Sequence, residues 1–427
     1  MPAEMNPTKL STFGKRLLAA VSTAVAALGI LSCGAGNTVD YVYVTSNKVN
    51  PGQINAYALD SESGALHQLE DSPYPSGGRN PVYDVTSPNG HYLYVANHDD
   101  NTIVQYDIGT DGKLYPLHTV NTPGTEPVAM AIDPAGAYLY VLDYYAPVTP
   151  GQPSYTDLNP GPGAVVIFPI SSTGILGTPV SVGATNYFEV QCFPSNLAIT
   201  PNGSYVYVSN TNAVVTTTSP PVTGTVPTVP AGCQGGGTVS GFSITSSTSG
   251  PTLTAVAGSP FSTGAASEPT AILSDPSGGE VYVTDAGLNQ LYTFTVGSGG
   301  ALSLASTVAT GTEPMGGTVV NSSSGKFLYI SNYIDGTLSS YALATGTPAP
   351  IASVTAGASG PLCVLADPRL QRFLYTADYT GGRVGGVELN PSTGALITNQ
   401  ASPYITSGQP TCVAGVTHEH GNPNGLE

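Results

Sequence analysis

Seven copies of one short strand constrain this chain more than any other feature. They read Tyr41-Val-Tyr-Val44, Tyr92-Leu-Tyr-Val95, Tyr138-Leu-Tyr-Val141, Tyr205-Val-Tyr-Val208, Glu280-Val-Tyr-Val283, Phe327-Leu-Tyr-Ile330 and Phe373-Leu-Tyr-Thr376. The central tyrosines stand 51, 46, 67, 75, 47 and 46 residues apart, a repeat of one supersecondary unit with two enlarged members. Each strand ends in Asn or Asp, at Asn47, Asn97, Asp143, Asn210, Asp285, Asn332 and Asp378. Ahead of six of them lies an apolar strand led by proline, then a turn such as Asp133-Pro-Ala-Gly136 or Thr200-Pro-Asn-Gly203. Proline presets φ and glycine supplies positive φ, so these are hairpins with a mechanism.

A third strand follows, with an aliphatic-x-x-aromatic-x-aliphatic pattern at Ile54/Tyr57/Leu59, Ile103/Tyr106/Ile108 and Leu338/Tyr341/Leu343. A weaker fourth begins at Gly-x-Leu turns, as in Gly64-Ala-Leu66, Gly112-Lys-Leu114 and Gly394-Ala-Leu396. Four short antiparallel strands per unit, taken seven times, describe an all-β fold: a seven-bladed β-propeller. Blade one lacks its proline-led strand, because Tyr41 opens the repeats, and a spare one, Pro410-Thr-Cys-Val-Ala-Gly-Val416, sits at the far end. Pairing the two closes the ring and leaves no open inner edge. The rival is an open repeat array, which needs polar capping repeats that the sequence does not show.

Composition narrows the class. Charged residues are only 9% of the chain while tyrosines number 25, which speaks against disorder and for a turn-rich β protein. A net charge of −17 argues against a nucleic-acid partner, since polyanions are bound by neutralising phosphates. Lys15-Arg16 precede the uncharged apolar run 17–31, which is short for a membrane span and suited to a signal peptide. Its end, Ile30-Leu31-Ser32-Cys33-Gly34, resembles the bacterial lipobox, which implies a lipid on Cys33. The alternative is an ordinary signal peptide cut nearby. The chain thus divides into a signal peptide at 1–32, a linker at 33–39, the propeller at 40–417 and a flexible tail at 418–427. The expected protein is exported and monomeric, touching a membrane only through that lipid.

Tyr43-Val-Thr-Ser-Asn47, Ala96-Asn97, Ser331-Asn-Tyr-Ile-Asp-Gly-Thr-Leu338 and Ala377-Asp-Tyr-Thr-Gly-Gly-Arg-Val384 resemble the YVTN repeat and the lactonase-type seven-bladed propellers, which include 6-phosphogluconolactonase-like proteins. The resemblance covers about residues 40–417. It implies His and Arg at the channel mouth, near the prolines that open the inner strands. The seven lead-ins here are Asn80-Pro81, Glu126-Pro127, Phe193-Pro194, Glu268-Pro269, Glu313-Pro314, Gly360-Pro361 and Gln409-Pro410. None carries His, and Arg79 is the only basic residue beside one.

In a propeller the lead-ins and the loops after the second strands share one face. That gathers Glu126, Glu268 and Glu313, as candidates for acid/base chemistry, with the strand-end carboxylates Asp143, Asp285 and Asp378. Such a ring of oxygens suits Ca²⁺, and no other cofactor is indicated. The plainer reading is that the Asp/Asn series caps the following loops. His98, in Asn97-His-Asp-Asp-Asn101, lies on this face beside Asp99 and Asp100, and reads either as an acid/base partner or as a solvated loop histidine. The enlarged units place insertions near 144–163 and 211–237. With Tyr144, Tyr145, Tyr187, Phe188, Glu189 and Gln191 they are expected to frame a ligand cleft on blades three and four. Four cysteines follow Cys33. The register puts Cys192 and Cys233 on the mouth face, and Cys363 and Cys412 at matching places in adjoining blades, so the pairs Cys192–Cys233 and Cys363–Cys412 are expected, against free buried thiols. Three functions fit these residues: an exported propeller binding a small-molecule or protein ligand, a lactone hydrolase with a divergent carboxylate site, and a structural envelope protein.

Overall fold

The structure, a computed structural model, describes residues 37–418 apart from 149–150, 157–158, 182, 212–232, 234, 323–324, 344–346 and 352–357. The expected signal peptide, the lipidation site Cys33, the tail beyond His418 and most of the blade-four insertion lie outside the described residues. A short strand that is apolar along its whole length must be covered on both faces. Accordingly Tyr92–Asn97, Tyr205–Asn210, Glu280–Asp285 and Phe373–Asp378 are buried at all but, at most, their first residue. Each is the second strand of a sheet of four, and there are seven sheets. In three of them a short extra segment also pairs with the third strand.

Inner strands Pro81–Thr86, Thr125–Ile132, Pro194–Ile199, Pro269–Ser274, Pro314–Ser322, Pro361–Ala366 and Gln409–Thr417 each touch the next, and the last touches the first. Gln409–Thr417 pairs antiparallel with Thr38–Asn47, setting Tyr43 opposite Ala414 and Thr45 opposite Cys412. Blade one is therefore built from both ends of the described chain. Hydroxyls tie neighbouring inner strands: Thr411 Oγ1 donates to the Pro81 carbonyl at 2.8 Å and Ser195 Oγ to that of Pro269 at 2.7 Å. The disulfide Cys363–Cys412 crosses from blade seven to blade one, and Cys192–Cys233 joins the outer strand of blade three to the end of the blade-four insertion.

The tyrosine repeat and the glycine turns are partners across the blade seams. Tyr43, Tyr94, Tyr207, Tyr329 and Tyr375 are fully buried. Their hydroxyls donate to the carbonyls of Gly112, Gly174, Gly300, Gly394 and Gly64, each in the next blade, at 2.8–2.9 Å. Burial raises all five phenols well above their ordinary value, so they act as donors. A β-carbon on Gly112 would stand 2.3 Å from the Tyr41 ring, and on Gly394 2.3 Å from Phe327, with φ of +78° and +70°. Only glycine meets both demands.

Candidate functional site

Of the seven lead-in residues before the inner-strand prolines, five are held at positive φ: Asn80 (52°), Glu126 (58°), Phe193 (52°), Glu313 (58°) and Gly360 (65°). The backbone N–H of Glu126 donates to Asn101 Oδ1 at 2.7 Å, which hangs the glutamate on the turn of the preceding blade. That turn is the 3₁₀ segment His98–Asp100, closed by Asn101 in the left-handed region. Sequence places His98 and Glu126 on different blades; the seam brings His98 Nε2 to 3.8 Å from Glu126 Oε2.

The same histidine is held from behind. His98 Nδ1 lies 2.9 Å from Asp99 Oδ1, which also accepts Asn80 Nδ2 at 3.0 Å. The amide of Asn80 and His98 hold the Asp99 carboxyl below its ordinary range. Arg79 is clamped to the same turn: Nε donates to Asp100 Oδ1 at 2.7 Å and Nη2 to the Asp99 carbonyl at 3.0 Å. Arg79, His98 and Asp99 line a cavity of ≈ 590 Å³ with Asn101, Glu126, Tyr145 and Tyr155. Its far wall is the described part of the blade-three insertion, where the rings of Tyr145 and Tyr155 sit 6.3 Å apart. A water between Nε2 and Oε2 would find two proton acceptors, an arrangement suited to activating it as a nucleophile.

The other expected residues fall elsewhere. Glu268 and Glu313 occupy the lead-ins of blades five and six and do not line this cavity. Asp143, Asp285 and Asp378 are fully buried, each within its own blade. Asp143 accepts the Gly124 N–H at 3.0 Å, and Asp285 accepts those of Glu268 at 2.9 Å and Leu288 at 3.1 Å. Asp378 accepts the Thr376 hydroxyl at 2.7 Å. Burial pushes the Asp143 carboxyl well up and that of Asp378 to about 6. These are loop-capping and core contacts, and among the described residues no three His, Cys, Asp or Glu side chains converge as a metal site. The proposed Ca²⁺ ring is thus not assembled by this geometry.

The expected blade-three aromatics lie apart from this cavity, Tyr145 excepted. Residues 188–192 form the outermost strand of blade three, with Phe188 opposite Val165 and Glu189 opposite Ala164. Tyr187 and Phe188 are half-buried against the blade cores, because an outer strand turns its apolar residues inward. Tyr187, Phe188, Glu189 and Gln191 are absent from the cavity lining. Tyr145 does line it, and Tyr144 packs on Tyr145 and Phe193 at 4.8 and 5.8 Å. His98 was the residue hardest to value from sequence. Its signal was the seam itself, where the turn after one second strand faces the lead-in of the next blade.

The family described as Lactonase, 7-bladed beta-propeller matches residues 85–147 and 307–415, the first span holding His98, Asp99 and Glu126. Curated 6-phosphogluconolactonases from Erwinia tasmaniensis and Xenorhabdus nematophila are 30% and 29% identical to this chain over 131 and 134 residues. Those matches cover 30% and 31% of this chain and only 33% and 34% of the relatives. Among solved structures, a Bacteroides fragilis protein superposes with a TM-score of 0.69 at 18% identity, over 90% of this chain and 99% of its own. The periplasmic gluconolactonase of Pseudomonas aeruginosa gives 0.68 at 18%, over 89% and 99%. At that identity the likeness establishes the shared fold.

Proposed function

Because this chain is a lactonase-type seven-bladed β-propeller, we propose that it hydrolyses an uncharged sugar lactone in the cavity between blades two and three. The observation that carries the reading is the convergence of His98, Glu126 and Arg79 in one cavity of ≈ 590 Å³. A water between His98 Nε2 and Glu126 attacks the acyl carbon, and His98 takes its proton. The remaining N–H donors of Arg79 stabilise the oxyanion. Collapse breaks the bond between the acyl carbon and the ring oxygen, which takes the proton back from His98, leaving the hydroxy acid. Tyr145 and Tyr155 offer aromatic surface to the sugar ring.

Charge selects within the substrate class. Among the described residues the lining holds one arginine, already paired with Asp100, and two carboxylates, Asp99 and Glu126. A phosphorylated lactone would bring two more negative charges against them without a free cation. Of the residues behind a binding-only reading, Tyr145 lines the cavity, while Tyr187, Phe188, Glu189 and Gln191 do not. Two disulfides suit an oxidising, extracytoplasmic compartment, and the lipobox-like stretch ending at Cys33 supports tethering there by a lipid.

The test is hydrolysis of glucono-δ-lactone and of its 6-phosphate by the purified chain, followed as acid release above the spontaneous rate. The expected result is turnover of the first with a higher kcat/KM than the second. No enzymatic turnover of either overturns the reading.

A further inference from the structure

Four polar residues run as a single chain of hydrogen bonds from the closing blade to the cavity. Asn47 Nδ2 donates to Asn80 Oδ1 at 3.0 Å, and Asn80 Nδ2 donates to Asp99 Oδ1 at 3.0 Å. His98 Nδ1 meets the same oxygen at 2.9 Å. The direction of this chain is fixed by its end. An ionised carboxylate only accepts, so Asn80 must turn its amide nitrogen to Asp99 and its carbonyl to Asn47. For the same reason the proton of neutral His98 must sit on Nδ1, which leaves the lone pair on Nε2, the nitrogen that faces Glu126.

The backbone does not ask for asparagine at this place. Glu126, Phe193 and Glu313 take up the same left-handed conformation at the same position of blades three, four and six. What Asn80 has that they lack is an amide reaching the turn of its own blade, and the His98 N–H donating to its carbonyl at 3.0 Å keeps the two in register. Asn47, the upstream member, ends the strand whose partner is the C-terminal inner strand, with Asn47 opposite Gln409.

We propose that Asn80 is a positioning residue which, through Asp99, fixes the Nδ1–H form of His98 and so aims the Nε2 lone pair at the space shared with Glu126. The statement about the histidine stands on the geometry alone; its effect on turnover rests on the lactone-hydrolase reading above. Asn80→Gly removes the amide and keeps a residue at ease with positive φ. Asn47→Ala removes the upstream donor only.

The experiment uses the full chain labelled with ¹⁵N-histidine, with the His98 signals assigned by their loss in His98→Asn. Long-range ¹H–¹⁵N spectra read the tautomer above the titration range. The unaltered chain is expected to show the Nδ1–H form, and Asn80→Gly a mixture or the Nε2–H form. In parallel, kcat for glucono-δ-lactone should fall ~10-fold in Asn80→Gly with KM little changed, as for loss of a group that orients a reacting one. Asn47→Ala should move both readouts the same way and less. An Nδ1–H form unchanged in Asn80→Gly, or an Nε2–H form already in the unaltered chain, overturns the proposal. A tautomer that shifts in a chain without lactonase activity upholds the positioning and removes the hydrolase reading instead.

Discussion

Two seams of this ring share a framework and differ in chemistry. Between blades two and three, the His98 N–H donates to the Asn80 carbonyl at 3.0 Å, the Glu126 N–H to Asn101 Oδ1 at 2.7 Å and the Thr122 N–H to the Asn101 carbonyl at 2.9 Å. Between blades five and six the same three bonds recur: Ala286 to Glu268 at 3.0 Å, Glu313 to Asn289 Oδ1 at 2.8 Å, and Thr310 to Asn289 at 3.0 Å. Asn101 and Asn289 have φ of 56° and 54°. Yet Arg79, Asn80, His98, Asp99 and Asp100 in the first seam correspond by register to Ser267, Glu268, Ala286, Gly287 and Leu288 in the second. The repeat builds the perch for a glutamate more than once, and the groups that give the glutamate something to do are placed beside one perch. On the proposed reading, function depends on which seam carries the histidine and its partners.

The sharpest way to break that comparison is to neutralise each glutamate. Glu126→Gln removes the carboxylate that orients the attacking water for His98 and should lower kcat/KM for the lactone by ~10²-fold, the low end for groups in acid–base catalysis, while Glu313→Gln leaves it unchanged. Equal losses would mean that the seams are functionally alike.

A third seam, between blades seven and one, supplies a pH test that neither of the others should disturb. Buried Asp40 accepts the Arg369 N–H at 3.3 Å and faces Asp367, whose carboxylate takes four backbone N–H groups at 2.6–3.1 Å. Burial first, and then the charge of Asp367, raise the Asp40 carboxyl to about 7. The folded state therefore holds a proton that the unfolded chain gives up above its ordinary value of 3.8. Stability is full below that value, falls as pH rises and is lost through about 7, a change on the order of 1–3 kcal/mol. Asp40→Asn should flatten most of that slope in thermal unfolding between about pH 4 and 7, the window these values set. A slope left intact would assign it to other groups.

Removing the perch itself should separate scaffold from chemistry. Asn101→Gly and Asn289→Gly each leave one lead-in N–H without its acceptor, costing about 1 kcal/mol in denaturant unfolding. Only the first should also reduce turnover, by ~10-fold as for loss of an orienting partner. The smallest effect is expected at a seam that carries no candidate site. Tyr329→Phe strands the Gly394 carbonyl and should cost ~0.5–1.5 kcal/mol with unchanged kcat/KM.

Much of the fold was legible because its signals are local. The Tyr-x-Tyr-Val strands, the proline lead-ins and the Gly-x-Leu turns each state a conformation within a few residues. Their count set the number of blades, and the spare strand at Pro410 pointed to the pairing now seen between Tyr43 and Ala414. Register alone also gave the pairs Cys192–Cys233 and Cys363–Cys412. The site was less legible. Residues 187–192 carry aromatics, Glu and Gln in a row, which reads as a ligand surface, and 188–192 form the outer strand of a blade. Asp143, Asp285 and Asp378 look like a ring of metal ligands and are buried caps. In both cases the residue types were read correctly, but the direction they face depends on the layer above them.

The sequence by itself determined a sevenfold run of small sheets, a closure from both ends and two cross-links. Each follows from backbone preference and apolar alternation, which act over a handful of residues. Only the tertiary structure decided that Tyr43 reaches Gly112, that Asn80 reaches Asp99, and that His98 meets Glu126 across a seam. Such meetings depend on the angle and offset at which one twisted sheet packs on the next, a quantity summed over whole blades and written in no single stretch of chain.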